Sequence, residues 1–168
     1  MVFQLELRNV PFDQQREILF YVADRLPRLS GGALDANGNG AYLAEVAQQR
    51  YGAERIVEVK ATPDWYRRNS TAYVEAFGDE TIVLPLHADT LADHQALQYV
   101  NGIIKVPDDH RFKGEDGFDR HADSAIAGVQ LWHASTLAPL EYDYTPASAL
   151  DGGSDSIFAE DVGGRALW

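Results

Sequence analysis

Phe3, Leu5 and Leu7 alternate with Gln4, Glu6 and Arg8. A period of two gives one apolar and one polar face, so the spacing predicts a strand over residues 2–10, stopped by Pro11. The period then becomes helical. Ile18, Leu19, Val22 and Leu26 are separated by charged residues, which predicts an amphipathic helix over 12–26, ended by Pro27. A turn at 30–32 leads into a short strand over 33–35. Leu43, Val46 and Ala47 mark the inner face of a helix over 41–51, with Gly52 as its C-terminal residue. Ile56, Val57 and Val59 mark a strand over 56–60. Residues 2–60 therefore spell β-α-β-α-β, the signature of a layered α/β domain.

Thr62-Pro63-Asp64-Trp65 reads as a capped helix start with proline at the first helical position. Two short helices are expected within 63–77, a short strand over 81–85, a helix over 91–100 and an extended stretch over 102–106. Residues 107–118 read as a charged loop. Ala122, Ala125, Ile126, Val129 and Trp132 form the apolar face of a last helix over 120–135. Beyond Pro139 the composition turns to Gly, Ser, Asp and Pro. The reading is thus one domain over 1–138 and an acidic tail over 139–168 that is expected to be unstructured and to add little to the core.

Composition narrows the class. A chain of 168 residues with 45% hydrophobic and 11% aromatic content suits a single globular domain. No apolar run approaches the ~18 residues of a membrane span, and the N-terminus has no signal-peptide pattern. Without cysteine there is no disulfide and no thiolate metal site; this fits a cytosolic protein. The net charge is −12, of which residues 141–168 contribute −5. The body is acidic too, which argues against a surface coated in basic residues for nucleic acid.

Two stretches carry candidate chemistry. Leu34-Asp35-Ala36-Asn37-Gly38-Asn39-Gly40 places a carboxylate at the tip of a strand before a tight turn and a helix. Open α/β sheets put their sites beyond such strand ends; the alternative is an Asp that merely caps the turn. Asp119-Arg120-His121-Ala122-Asp123 runs from a charged loop into a small-residue helix. Asp123 sits in the first helical turn, where the helix dipole favours an anion. Two carboxylates at one sheet edge, Asp35 and Asp123, are what a Mg²⁺ or Mn²⁺ site needs. His121 can then bind a phosphate or relay a proton, or it is simply a partly buried loop histidine. Asp93 and His94 read as a solvated helix face, and His87 and Asp89 have no recognisable ligand spacing. Trp65, Tyr66, Arg67 and Arg68 suit either nucleic-acid stacking or an aromatic anchor on an amphipathic helix. Gly38 and Gly40 faintly suggest a phosphate loop. The Lys-Ser/Thr ending and the dinucleotide fingerprint are missing, so a nucleotide fold is rejected. No Gly-x-Ser-x-Gly elbow supports an α/β hydrolase.

The ordered set Leu34-Asp35-Ala36-Asn37-Gly38-Asn39-Gly40, Tyr51-Gly52, Trp65-Tyr66, Leu84-Pro85 and Arg120-His121-Ala122-Asp123 resembles the C-terminal nuclease domain of Mu-like tailed-phage large terminase subunits. The resemblance covers about residues 1–135. It implies a ribonuclease H-like mixed sheet flanked by helices and Mg²⁺- or Mn²⁺-dependent cutting of double-stranded DNA during genome packaging. Portal and small terminase subunit are the implied partners, and the bacterial host cytoplasm is the implied location. Of the family's three acids, the second matches Asp35 and the third, in a His-x-Asp context, matches Asp123 with His121. The first lies on the family's first strand, which has no counterpart here; strand 3–9 matches the third. The resemblance therefore implies a chain lacking the first strands and the N-terminal ATPase, with an incomplete catalytic set. A remnant that docks a packaging partner without catalysis is the alternative.

Overall fold

The computed structural model describes residues 3–137. The acidic tail expected over 139–168 lies outside them. Pro11 precedes the first helix, α1 (Phe12–Ala23), whose end falls at Asp24, before the predicted Leu26. Strand β1 (Gly32–Asp35), helix α2 (Gly40–Tyr51) and strand β2 (Ile56–Val59) follow, so the central βαβ unit forms as the pattern predicts. β1 and β2 are parallel, in register from Gly32 opposite Ile56 to Asp35 opposite Val59. The turn between β1 and α2 is very tight. A side chain at position 40 would overlap the Asp35 carbonyl oxygen, so only glycine allows the strand end and helix start to meet there.

Helix α3 (Pro63–Gly78) is continuous, not two short helices. The Thr62 hydroxyl accepts a hydrogen bond from the Trp65 amide at 3.2 Å, and Pro63 occupies the first turn. Helix α4 (Ala88–Gln95) starts earlier than predicted because His87 caps it, accepting from the Asp89 amide at 3.2 Å. The hairpin β3 (Gln98–Val100) and β4 (Ile103–Lys105) follows. A second small antiparallel pair, β5 (Phe112–Lys113) and β6 (Asp119–Arg120), leads to α5 (Asp123–Thr136). The strand expected over 81–85 does not form; that stretch is irregular. Its apolar residues Ile82 and Leu84 are only partly covered, and Thr81 is held by the end of α3, its amide and hydroxyl both donating to the Ala76 carbonyl.

The described residues make a mixed α/β structure of five helices and three two-stranded pairs. Its apolar centre is Val59, Trp65, Tyr73 and Val129, with Ala33, Val57, Tyr66, Ile82, Leu97 and Trp132 around it. Trp65 and Tyr66 are therefore anchors of α3 in the core, not a free stacking platform. α5 touches β1, α3 and α4 together and so forms the spine between them. Gly128 makes the tightest of these contacts. A Cβ there would collide with the Tyr73 hydroxyl and stand 3.0 Å from His94 Nε2.

The largest departure from the sequence reading is segment 3–9. The strand expected there does not form: the segment belongs to no sheet, among the described residues no backbone hydrogen bond ties it to another strand, and Asn9 has a left-handed φ of 54°. Its apolar side chains Phe3, Leu5 and Leu7 are 55%, 54% and 41% exposed. The alternation does not produce the buried apolar face it predicts: Gln4, Glu6 and Arg8 are held by polar contacts, and the apolar side chains stay open to solvent.

Candidate functional site

Gln4, Glu6 and Arg8 dock the segment on the body. The Thr90 hydroxyl donates to the Gln4 side chain at 3.4 Å, and Arg8 reaches Asp116 at 3.2 Å while lying over the Phe118 ring. The central contact is bidentate: both terminal nitrogens of Arg120 donate to the Glu6 carboxylate at 2.7 Å. This fork geometry is the strong form of a charged hydrogen bond. The guanidinium holds the Glu6 carboxyl below the usual range, against the opposing effect of partial burial.

Arg120 itself is buried at the end of β6. Its other partner is Asp93 of α4, which is fully buried; Arg120 donates to its two oxygens at 3.3 and 2.8 Å, and Ser124 donates at 2.6 Å. Asp89 stands 3.9 Å from Arg120 and accepts the Glu115 amide with both oxygens at 3.1 Å. The hydrogen bonds that Arg120 donates to Glu6 and Asp93 push its pKa up and keep it charged. The solvated reading of Asp93 and His94 is thus overturned. Asp93 is an internal counter-ion, and His94 is enclosed between Thr90 and Tyr73. The Thr90 carbonyl can only accept, so His94 Nδ1 carries the hydrogen across that 2.7 Å contact. Nε2 of the neutral ring then accepts from the Tyr73 hydroxyl at 2.8 Å. Burial raises the Tyr73 pKa, so the hydroxyl stays protonated.

Between segment 3–9 and α5 lies a cleft of about 580 Å³. It is lined by all of residues 3–9, by Ser124, Ala127 and Leu131 of α5, and by the Asp93–Arg120 pair. Asp119, His121 and Asp123 sit on its rim at the entry to α5. Lys113 contacts Asp119 at 2.7 Å and lowers its pKa. His121 and Asp123 are exposed, so the partly buried alternative for His121 does not apply. Ala122 between them is fully buried and left-handed, with φ 61° and ψ 34°, and α5 starts without any side-chain cap.

Asp35 is exposed at the tip of β1 and does not line this cleft. Its Oδ1 accepts from the backbone and side-chain nitrogens of Asn37 at 2.9 and 3.0 Å, the turn-capping role weighed above. Gly31 lies beside the Ala134 carbonyl, near the C-terminal end of α5, and β1 packs along that helix. Among the described residues no three His, Asp or Glu side chains gather in a metal-binding group. Asp93 has both oxygens committed, and Asp35 has one.

The floor of the cleft was missed by sequence reasoning, though a signal existed. Asp89, Asp93 and Ala96 share one face of α4 at spacings of four and three, and a buried small residue on that face points it inward. The sole arginine of the Asp119–Asp123 stretch is the natural counter-charge.

No family model matches the sequence, and no solved structure matches it. Two relatives do. The Mu-like prophage FluMu protein gp28 of Haemophilus influenzae is 38% identical over 142 residues, 84% of this chain and 28% of the relative. The probable terminase, large subunit gp28 of Escherichia phage Mu is 40% identical over 149 residues, 88% of this chain and 27% of the relative. The chain spans just over a quarter of the length of these relatives. No helix among the described residues is long and apolar enough to cross a membrane. Along most of its own length, then, this chain is related to the Mu-like gp28 proteins, which include a probable phage terminase large subunit.

Proposed function

We propose that this chain acts within a phage packaging terminase large subunit, as part of its ribonuclease H-like nuclease region working on double-stranded DNA with Mg²⁺ or Mn²⁺. The observation that carries the reading is the 40% identity to the phage Mu probable terminase over 88% of the chain. Supporting it, Asp123 and His121 are exposed at the start of α5, and Asp35 is exposed at the tip of β1. In this reading Asp35 and Asp123 are two of the metal-holding acids. His121 meets a DNA phosphate or relays a proton. Portal and small terminase subunit are the assembly partners, in the host cytoplasm. Since the described acids fall short of a full ion site, the chain by itself cuts DNA poorly or not at all. Two-metal hydrolysis needs carboxylates beside both the attacking and the leaving oxygen.

A non-catalytic docking module is the second reading. It is favoured by the −12 charge, which opposes DNA, and by the locked Asp93. The discriminating experiment replaces the matched segment of phage Mu gp28 with this chain and measures phage yield. The expected result is phage production that Asp35→Asn or Asp123→Asn abolishes. Undiminished yield from both variants overturns the nuclease reading. In parallel, a plasmid-nicking assay with Mn²⁺ is expected to show little cutting by the isolated chain; efficient cutting lost in either variant means that its site is complete.

A further inference from the structure

Helix α5 ends among cations. A side chain on Gly31 would start 3.7 Å from the Arg55 carbonyl and 3.8 Å from the Ala134 carbonyl. The Gly32 amide also donates to the Arg55 carbonyl at 2.7 Å. The starts of β1 and β2 thus meet the last turn of α5, at the opposite end of the parallel pair from Asp35. Arg55 belongs to this junction. Arg28 precedes Gly31 by three residues, so the chain holds its backbone within ~10 Å of the same point. Arg68 of α3 is the third cation. Trp65, one turn before it, packs edge-on against His133 of α5 with ring centroids 5.7 Å apart. Burial lowers the His133 pKa, and the nearby Arg68 charge lowers it further.

These arginines are exceptions in a chain with 26 acids and 14 lysines and arginines. Arg8, Arg16, Arg50, Arg67, Lys105 and Lys113 each meet a carboxylate. Arg28, Arg55 and Arg68 meet none among the described residues. The acids close by are placed elsewhere. Asp24 accepts from Arg50 at 2.7 Å and from the Tyr51 hydroxyl at 2.8 Å, and the Glu54 carboxylate stands over Gly52. Arg55 Nε is moreover shut off from water without an acceptor. An enclosed donor on a charged group is costly to leave unmatched, and such groups are nearly always paired.

We propose that this junction is a docking surface for the chain's own acidic residues 138–168, with Glu141 and Asp143 pairing with Arg28, Arg55 and Arg68. Three observations select this occupant. It begins at the surface itself: Glu141 follows Leu137, the C-cap of α5, by four residues and Asp143 by six, a reach of up to ~14 and ~21 Å. Its charge is complementary, with six acids against the single Arg165. It is also tethered. A short connection gives an effective concentration of about millimolar, so pairs worth only ~1 kcal/mol or less each suffice, where a free polyanion needs many. The consequence is masking: an outside polyanion, such as a DNA backbone, meets arginines that are already neutralised. The proposal is independent of the nuclease reading, since Asp35 lies at the other end of β1.

The test uses the full 168-residue chain. It has no cysteine, so Ala147→Cys accepts a single nitroxide label. In dilute salt the label should broaden the NMR signals of amides 28–32 and 53–56. Glu141→Gln/Asp143→Asn changes no described residue, and it should remove most of that broadening. Salt at about 1 M, where the screening length is ~3 Å, should do the same. The Arg55 Nε–H signal should shift in that double variant. Equal broadening with and without the two carboxylates, at both salt concentrations, overturns the proposal, because the segment then only passes close to the helix end. A second measurement follows duplex DNA binding by fluorescence anisotropy. Arg28→Gln/Arg55→Gln should leave it unchanged while Glu141 and Asp143 are intact. A loss there overturns the proposal in favour of an outside polyanion as the occupant.

Discussion

Two regions meet on α5 and are held by opposite means. On one side Tyr73, Val59, Trp65 and Val129 exclude water around a helix–strand layer. On the other, Arg120 draws Asp93, Ser124 and Glu6 together beneath segment 3–9. The first region is non-directional: any shape that fills the space serves. The second is directional, because the fork of Arg120 fixes where Glu6, and hence the whole segment, must lie. A segment held by its polar face keeps its apolar face for another use. The difference teaches that burial in this protein reports stability in one place and orientation in the other.

The comparison breaks most severely at Tyr73. Tyr73→Ala empties the fully buried centre and should cost about 3–5 kcal/mol, a fall in the thermal midpoint of roughly 2–4 °C per kcal/mol by calorimetry. Arg120→Met should cost nearly as much, about 3–5 kcal/mol, because Asp93 is left charged in the interior without its partner. The double variant Arg120→Met/Asp93→Leu should recover most of that loss in urea titrations. If it does not, the network contributes net stability and not only direction. Glu6→Gln is expected to be milder, under about 1 kcal/mol, since its carboxylate is half exposed. Its signature is the pH dependence. The folded-state pKa of Glu6 lies below its ordinary 4.5, so the contribution is complete above that value and disappears as the pH falls through the lowered one. Stability curves of the parent chain and of Glu6→Gln should therefore differ near neutrality and converge in acid. Smallest of all, Leu5→Asp should change stability by no more than ~0.5 kcal/mol in the chain alone. A larger loss would place Leu5 in the core, contrary to the comparison.

What the sequence reveals follows the same division. The βαβ unit and the start of α3 depend on neighbours within a few residues, such as Thr62 with Trp65 and Gly52 after Tyr51, and these are legible. The strand over 81–85 does not form, and the helix expected over 91–100 is shifted to 88–95 because the cap at His87 resets where α4 begins, leaving 98–100 to the hairpin. Asp93 reads as solvated because its counter-ion lies 27 residues away, beyond any local window. For the candidate site, the exposed positions of Asp35, His121 and Asp123 are readable from turn and helix-start chemistry. The alternation of residues 3–9 shows two faces; which face is inside depends on Arg120, on the other side of the chain.

Ala122 has a consequence for inheritance. Its left-handed backbone costs an alanine about 1–2 kcal/mol, which glycine would avoid, yet its methyl group is wholly enclosed among Ala96 and Ala125. Asparagine, the usual alternative at such an angle, is too large for that enclosure. The position thus has a vocabulary of two letters, alanine and glycine. Among variants of 121–123 selected for folding alone, the exposed ends His121 and Asp123 should tolerate change while position 122 returns little beyond alanine and glycine.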